Sequence, residues 1–215
     1  MGKRFDQLSF LENIICICYY GRSGSVFLHS LLDNHPDVIT FPGVYLMGYQ
    51  EWWNSISNLE SNKVIENFLD TYKVIFDPCC VNGDELPGCG RNAGIDQNFH
   101  QSGENNDKKI AVNKKIFTEQ LWRLNEETVK ENPLVFFKKI HLALAHTQNK
   151  NLNQKSKIVF HLHTPLESNA KFLLSIVKSV KILYSIREPH ISAISLYKHY
   201  MKNGGVEKPL KFVLS

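Results

Sequence analysis

The sequence predicts an α/β domain, a three-layer sandwich built on a mainly parallel sheet. Three observations lead there. Short β-rich apolar runs at residues 13–20, 38–41, 157–162 and 180–186 alternate with segments of helical periodicity, the pattern of βαβ units. The run at 13–20 is continuously apolar rather than alternating, as in strands covered on both faces. Polar or charged turns follow three of the runs directly, at residues 21–25, 161–165 and 187–189, and open sheets of this kind bind ligands at the carboxyl ends of their strands.

Residues 13–20 form the first strand, with Cys16 and Cys18 on one side of it as small hydrophobes. A tight turn over Gly21 to Ser25 leads into Val26, Phe27, Leu28, Leu31 and Leu32 at helical spacing. Pro36 closes that helix, because the residue before a proline is pushed out of the α region. A second short strand is expected at 38–41, then helices at 45–56 and 62–75. Residues 77–109 are rich in Asn, Gly, Asp and Pro and predict a long loop or insertion. Helices follow at 118–130 and 133–148, a strand at 157–162, a helix at 166–178 and a strand at 180–186. Pro189, welcome in a first turn, opens a helix that runs to about Lys202, where Gly204 and Gly205 end it. Leu210, Phe212, Val213 and Leu214 have no polar tail after them, so the expectation is a single domain over 1–215 whose C-terminal part is missing.

Hydrophobic residues make up 43% of the 215 and charged residues 21%, which excludes disordered, collagen-like and coiled-coil chains. No apolar run approaches the roughly 18 residues of a membrane helix. Lys3 and Arg4 precede the first apolar run, but Asp6 and Glu12 intervene and no small-residue cleavage site follows, so no export signal is read and a cytoplasmic location is expected. The five cysteines, an odd number, then argue for reduced thiols. Cys79, Cys80 and Cys89 lack the spaced pairs of a zinc site. Charge is uneven: residues 1–137 hold 12 basic and 18 acidic side chains, residues 138–215 hold 13 and 3. Either an anionic partner or a solvated lysine-rich face gives that asymmetry.

Three constellations carry chemistry. In Gly21-Arg22-Ser23-Gly24-Ser25-Val26-Phe27 the glycines let the backbone turn tightly, a helix start offers N–H groups to an anion, and Arg22 adds forked donors. It departs from a nucleotide-triphosphate P-loop, since no Gly-Lys-Ser/Thr follows at the required spacing after Gly21. Arg187 caps a strand end, and Ser192, Ser195 and His199 share a stripe of the next helix while Ile191 and Ile194 turn toward the core. His161 and His163 leave a strand together. They suit a general base or a metal, or equally a helix cap and a core position. Tyr45, Tyr49, Trp52 and Trp53 either stack on a substrate or fill the core.

Together these segments resemble the cytosolic-type sulfotransferase superfamily. Residues 21–27 are similar to its 5′-phosphosulfate loop, Leu31-Leu32-Asp33-Asn34-His35-Pro36 to a stretch of its bacterial and protein-tyrosine branches, and Arg187 to Ser195, with Pro189 between, to its 3′-phosphate motif. His161-Leu162-His163-Thr164-Pro165 resembles the segment with its catalytic histidine. The resemblance implies a P-loop NTPase-like fold and transfer of a sulfuryl group from 3′-phosphoadenosine 5′-phosphosulfate (PAPS) to a hydroxyl or amine of a small-molecule or glycan acceptor, with no metal and no nucleic-acid partner. It implies cofactor contacts from Arg22, Ser23, Gly24, Ser25, Val26, Phe27, Arg187 and Ser195. His163, with His161 in reserve, is the implied base, and Arg22 stabilises charge on the leaving phosphate. The family's lysine stands here as Arg22, and Val26 replaces a hydroxyl residue. A P-loop kinase-like phosphotransferase and a catalytically degenerate nucleotide- or polyanion-binding module are the alternatives.

Overall fold

The computed structural model describes residues 13–19, 23–32, 35–41, 49–76, 101–102, 108–109, 112–125, 132–153, 155–163, 171, 175 and 180–202. In chain order these form β1 (Ile14–Tyr19), α1 (Ser25–Ser30), β2 (Val38–Ile39), α2 (Tyr49–Ser55), α3 (Ser61–Thr71), a 3₁₀ turn (Lys73–Ile75), β3 (Gln101–Ser102), β4 (Lys108–Lys109), α4 (Lys114–Leu124), α5 (Pro133–Thr147), β5 (Lys157–His163), β6 (Val180–Ser185) and α6 (Pro189–Lys202). Four strands make one all-parallel sheet in the order β2-β5-β1-β6, and β3 pairs antiparallel with β4. The chain is an α/β protein with helices on both sheet faces.

Strand alternation sorts the core. Ile14, Cys16 and Cys18 of β1 join Ile158, Phe160 and Leu162 of β5 against α2, α3, α4 and α5. The intervening residues Ile17 and Val159, with Val38, meet Leu28 and Leu32 of the α1 region on the other face. Both cysteines therefore look into one core, their sulfurs 3.6 Å apart. α5 is apolar nearly all round because it is sandwiched: Phe136, Phe137, Ile140, Leu142, Ala143 and Leu144 are all buried. Tyr49 and Trp52 are buried in that cluster and Trp53 packs at its margin, which resolves the choice between substrate stacking and core in favour of core. Their polar atoms find partners there: Tyr49 Oη donates to the Pro133 carbonyl and Trp52 Nε1 to Asn67 Oδ1, both at 2.7 Å.

Several boundaries differ from the sequence expectation. α4 spans Lys114–Leu124 rather than 118–130, because the Asn113 side chain accepts from the Ile116 N–H at 3.1 Å and caps the start. Asn125 ends it, its Nδ2 turned back onto the Leu121 carbonyl at 2.7 Å. β2 pairs with β5 over Val38 and Ile39 only. β5 runs on to His163, so both histidines belong to the strand rather than to a loop after it. α6 is turned opposite to expectation: Ile191 and Ile194 are exposed, 37% and 52%, while Ser192 and Ser195 are half-buried. The reason is that α6 follows an edge strand whose Leu183 and Tyr184 are themselves exposed, so this side of the sheet offers no deep core for the isoleucines. Of the expected helix at 166–178, Lys171 and Ser175 are described and are helical. Most of the expected 77–109 loop, Cys79, Cys80, Cys89, Tyr45, His199's side chain and residues 203–215 lie outside the described residues.

Phe137 ties the helical layer to the sheet, with ring centroids 5.1 Å from Phe160 and 5.6 Å from Tyr49. Phe137→Ala should lose about 3–5 kcal/mol of unfolding free energy. Urea titration measures it, and a loss below about 1 kcal/mol would show that the layers are held elsewhere.

Candidate functional site

Topology locates the site. The connection leaving β1 runs toward β2, and the connection leaving its neighbour β5 runs the opposite way, over β1, to β6. With right-handed crossovers those connections lie on opposite faces, which makes the carboxyl ends of β1 and β5 the switch point of the sheet, the place where such folds bind ligands. The register makes that edge level: Tyr19 pairs with His163 on one side and with Ser185 on the other. The β1–α1 turn, the residues after His163, and Arg187 all start within two residues of it.

The turn itself is built from small residues for conformational reasons. Gly24 adopts φ 86 and ψ 10, the left-handed region open to glycine. Space is not the constraint, since no atom lies within 4 Å of where a Cβ would stand. The Gly24 carbonyl accepts from the Leu28 N–H at 3.0 Å, which leaves the N–H groups of Ser25 and Val26 ahead of the first helical bond. The Ser23 hydroxyl is buried with no hydrogen-bond partner among the described residues. Ser25 is buried at the helix start, and no acidic side chain occupies the first turn of α1. A backbone peptide next to the turn is held from β6, where Ser185 Oγ donates to the Ser23 carbonyl at 3.1 Å.

The structure thus brings Ser23, Gly24 and Ser25 together with the end of β6. Arg187 is exposed two residues beyond β6, and Ser195 lies half-buried on α6. Phe27 projects outward, 70% exposed, because Ser25, Leu28, His29 and Leu32 take the sheet-facing side of α1. Arg22 and the side chains of Val26 and His163 lie outside the described residues.

His161 sits one pleat inside the edge, opposite Ile17. Its ring lies 4.3 Å from that of His29 and 5.5 Å from that of Tyr19. Neither of its nitrogens has a hydrogen-bond partner among the described residues. Burial, and then the neighbouring His29, hold its pKa down at about 3. Burial likewise holds His29 at about 4, and burial pushes the Tyr19 phenol up. His29 Nε2 meets Thr40 Oγ1 at 2.7 Å. The Thr40 hydroxyl also lies 3.4 Å from the Phe41 carbonyl. A neutral pair of imidazoles therefore stitches α1, β5 and the end of β2 together beneath the switch point.

Sequence reasoning missed His29, Thr40 and Ser185. His29 was detectable, four residues after Ser25 and one after Leu28 on the inward stripe of α1. Thr40 and Ser185 carry no local signal, because their partners come from other elements. Among the described residues no helix is long and apolar enough to cross a membrane. No protein-family model, no curated protein and no solved structure matches the chain.

The buried imidazoles set an acid limit on stability. Both stay neutral in the fold well below the ordinary histidine value of 6.5. As pH falls through 6.5 the unfolded chain takes up protons that the fold refuses, so stability present above pH 6.5 is lost progressively toward pH 4. Buried His141, held near 3 by burial, adds to the same loss. His161→Phe should reduce the proton uptake on unfolding by about one across this window. Urea midpoints at stepped pH test it; an unchanged pH slope would mean that His161 is not buried neutral.

Proposed function

We propose that the chain is a PAPS-dependent sulfotransferase domain of P-loop-like architecture, acting on a hydroxyl or amine of a small-molecule or glycan acceptor. The observation that carries this reading is the β1–α1 turn at the switch point of the sheet. There a buried Ser23 hydroxyl without a hydrogen-bond partner among the described residues, a left-handed Gly24 and the start of α1 stand beside the strand that leads to Arg187. Hydroxyl and amide donors with no carboxylate in the first turn of α1 are the donor set an anionic phosphosulfate requires, so these residues fit the group.

PAPS, when bound, supplies the activated sulfuryl group. Ser23, Gly24, Ser25 and the amides of Val26 and Phe27 would hold its 5′ end, and Arg22 would supply a permanent positive charge to the leaving phosphate. Arg187, with Ser195, holds the 3′-phosphate from the neighbouring strand. His163 stands at the strand end, in register with Tyr19, and takes the acceptor's proton. His161 lies deeper, buried and shared with His29, and keeps α1 seated on the sheet.

Arg22→Ala and Arg187→Ala should each weaken binding of adenosine 3′,5′-bisphosphate by about 1.5–3 kcal/mol, the range for a charge-assisted contact. Calorimetry that finds both affinities unchanged, with both folds intact, would refute the assignment of the two cofactor ends.

His163→Ala should abolish most turnover while leaving nucleotide affinity in place, because a base acts chiefly in the transition state. Initial rates of sulfuryl transfer from labelled PAPS, beside binding curves, separate the two effects. Turnover preserved in His163→Ala and lost in His161→Ala would exchange their roles.

A further inference from the structure

We infer that Ser185 is the positioning residue of the β1–α1 turn, an inference that rests on reading the turn as a 5′-phosphosulfate cradle. The Ser185 hydroxyl reaches across 162 positions of sequence to the Ser23 carbonyl, 3.1 Å away. Ser185 closes β6 at the level where Tyr19 closes β1, so the donor stands on the adjacent strand where the turn departs.

Peptide geometry turns that contact into aim. A trans peptide is planar, and its C=O and N–H point in opposite directions. Drawing the Ser23 carbonyl toward β6 turns the Gly24 N–H away from β6. Gly24 is left-handed and its own carbonyl is committed to the Leu28 N–H, an arrangement in which neighbouring N–H groups form a concavity for an anion. Gly24 has no side chain to pack, and nothing lies within 4 Å of its Cβ direction, so the hydrogen bond from Ser185 is the tertiary contact that holds this peptide's orientation. The Ser23 hydroxyl, buried and unpartnered among the described residues, rides on the same residue and is aimed with it.

Two substitutions of equal shape isolate the hydroxyl. Threonine and valine both suit a strand, and Ser185→Thr keeps the donor while Ser185→Val removes it. Calorimetry compares each with the unchanged chain, using adenosine 3′,5′-bisphosphate and adenosine 3′-monophosphate. Ser185→Val should weaken the bisphosphate roughly three- to tenfold and leave the 3′-monophosphate unaffected, because the turn addresses the 5′ group alone. Ser185→Thr should bind both like the unchanged chain. Equal bisphosphate affinity in the two variants would overturn the role, and so would a loss of the same size on both nucleotides, which is the mark of a merely structural residue. If the unchanged chain binds neither nucleotide, the cradle reading itself falls and takes this inference with it.

Discussion

The level register of β5, β1 and β6 is the constraint on which the site depends. β1 is hydrogen-bonded on both sides along its whole length, from Ile14 to Tyr19. Its two neighbours therefore finish where it finishes, with His163 and Ser185 flanking Tyr19. A slip on either side would move every side chain to the other face. Ser185 would leave Ser23, and His161 would leave His29. Between β1 and β5 the two unequal cores prevent such a slip, because Cys16 and Phe160 must face α5 while Ile17 and Val159 must face α1.

The polar layer under the switch point follows from the same register. His161 points to the α1 face, where His29, and through it Thr40, complete a buried neutral cluster. Imidazoles at this depth carry a desolvation cost if protonated. They are tolerated because both remain neutral, held down by burial. Along this one strand, His161 lies against His29 of α1, and His163 ends level with Tyr19.

Much of the fold was legible because it is local. β1, α1, α5, β6 and α6 declare themselves by apolar period, Pro133 and Pro189 at helix starts, and glycine at turns. The start of α4 was misplaced because its signal is one side chain, Asn113, in a stretch with weak periodicity. The orientation of α6 was unreadable, since an isoleucine looks the same beside a central strand and beside an edge strand. In the site, the turn at Ser23 to Ser25 was visible as a motif. Its partners His29, Thr40 and Ser185 were not, because a contact across 162 residues leaves no trace in spacing.

The central claim is that the level edge around β1 receives the 5′ end of a bisphosphorylated adenosine without a metal. An amide-resolved NMR titration with adenosine 3′,5′-bisphosphate in the absence of magnesium tests it most directly. The account predicts saturable shifts at Ser23, Gly24 and Ser25 together with Ile186 to Glu188, and weaker competition from ATP under the same conditions. Shifts confined to other surfaces, or saturation by ATP that requires magnesium, would contradict it.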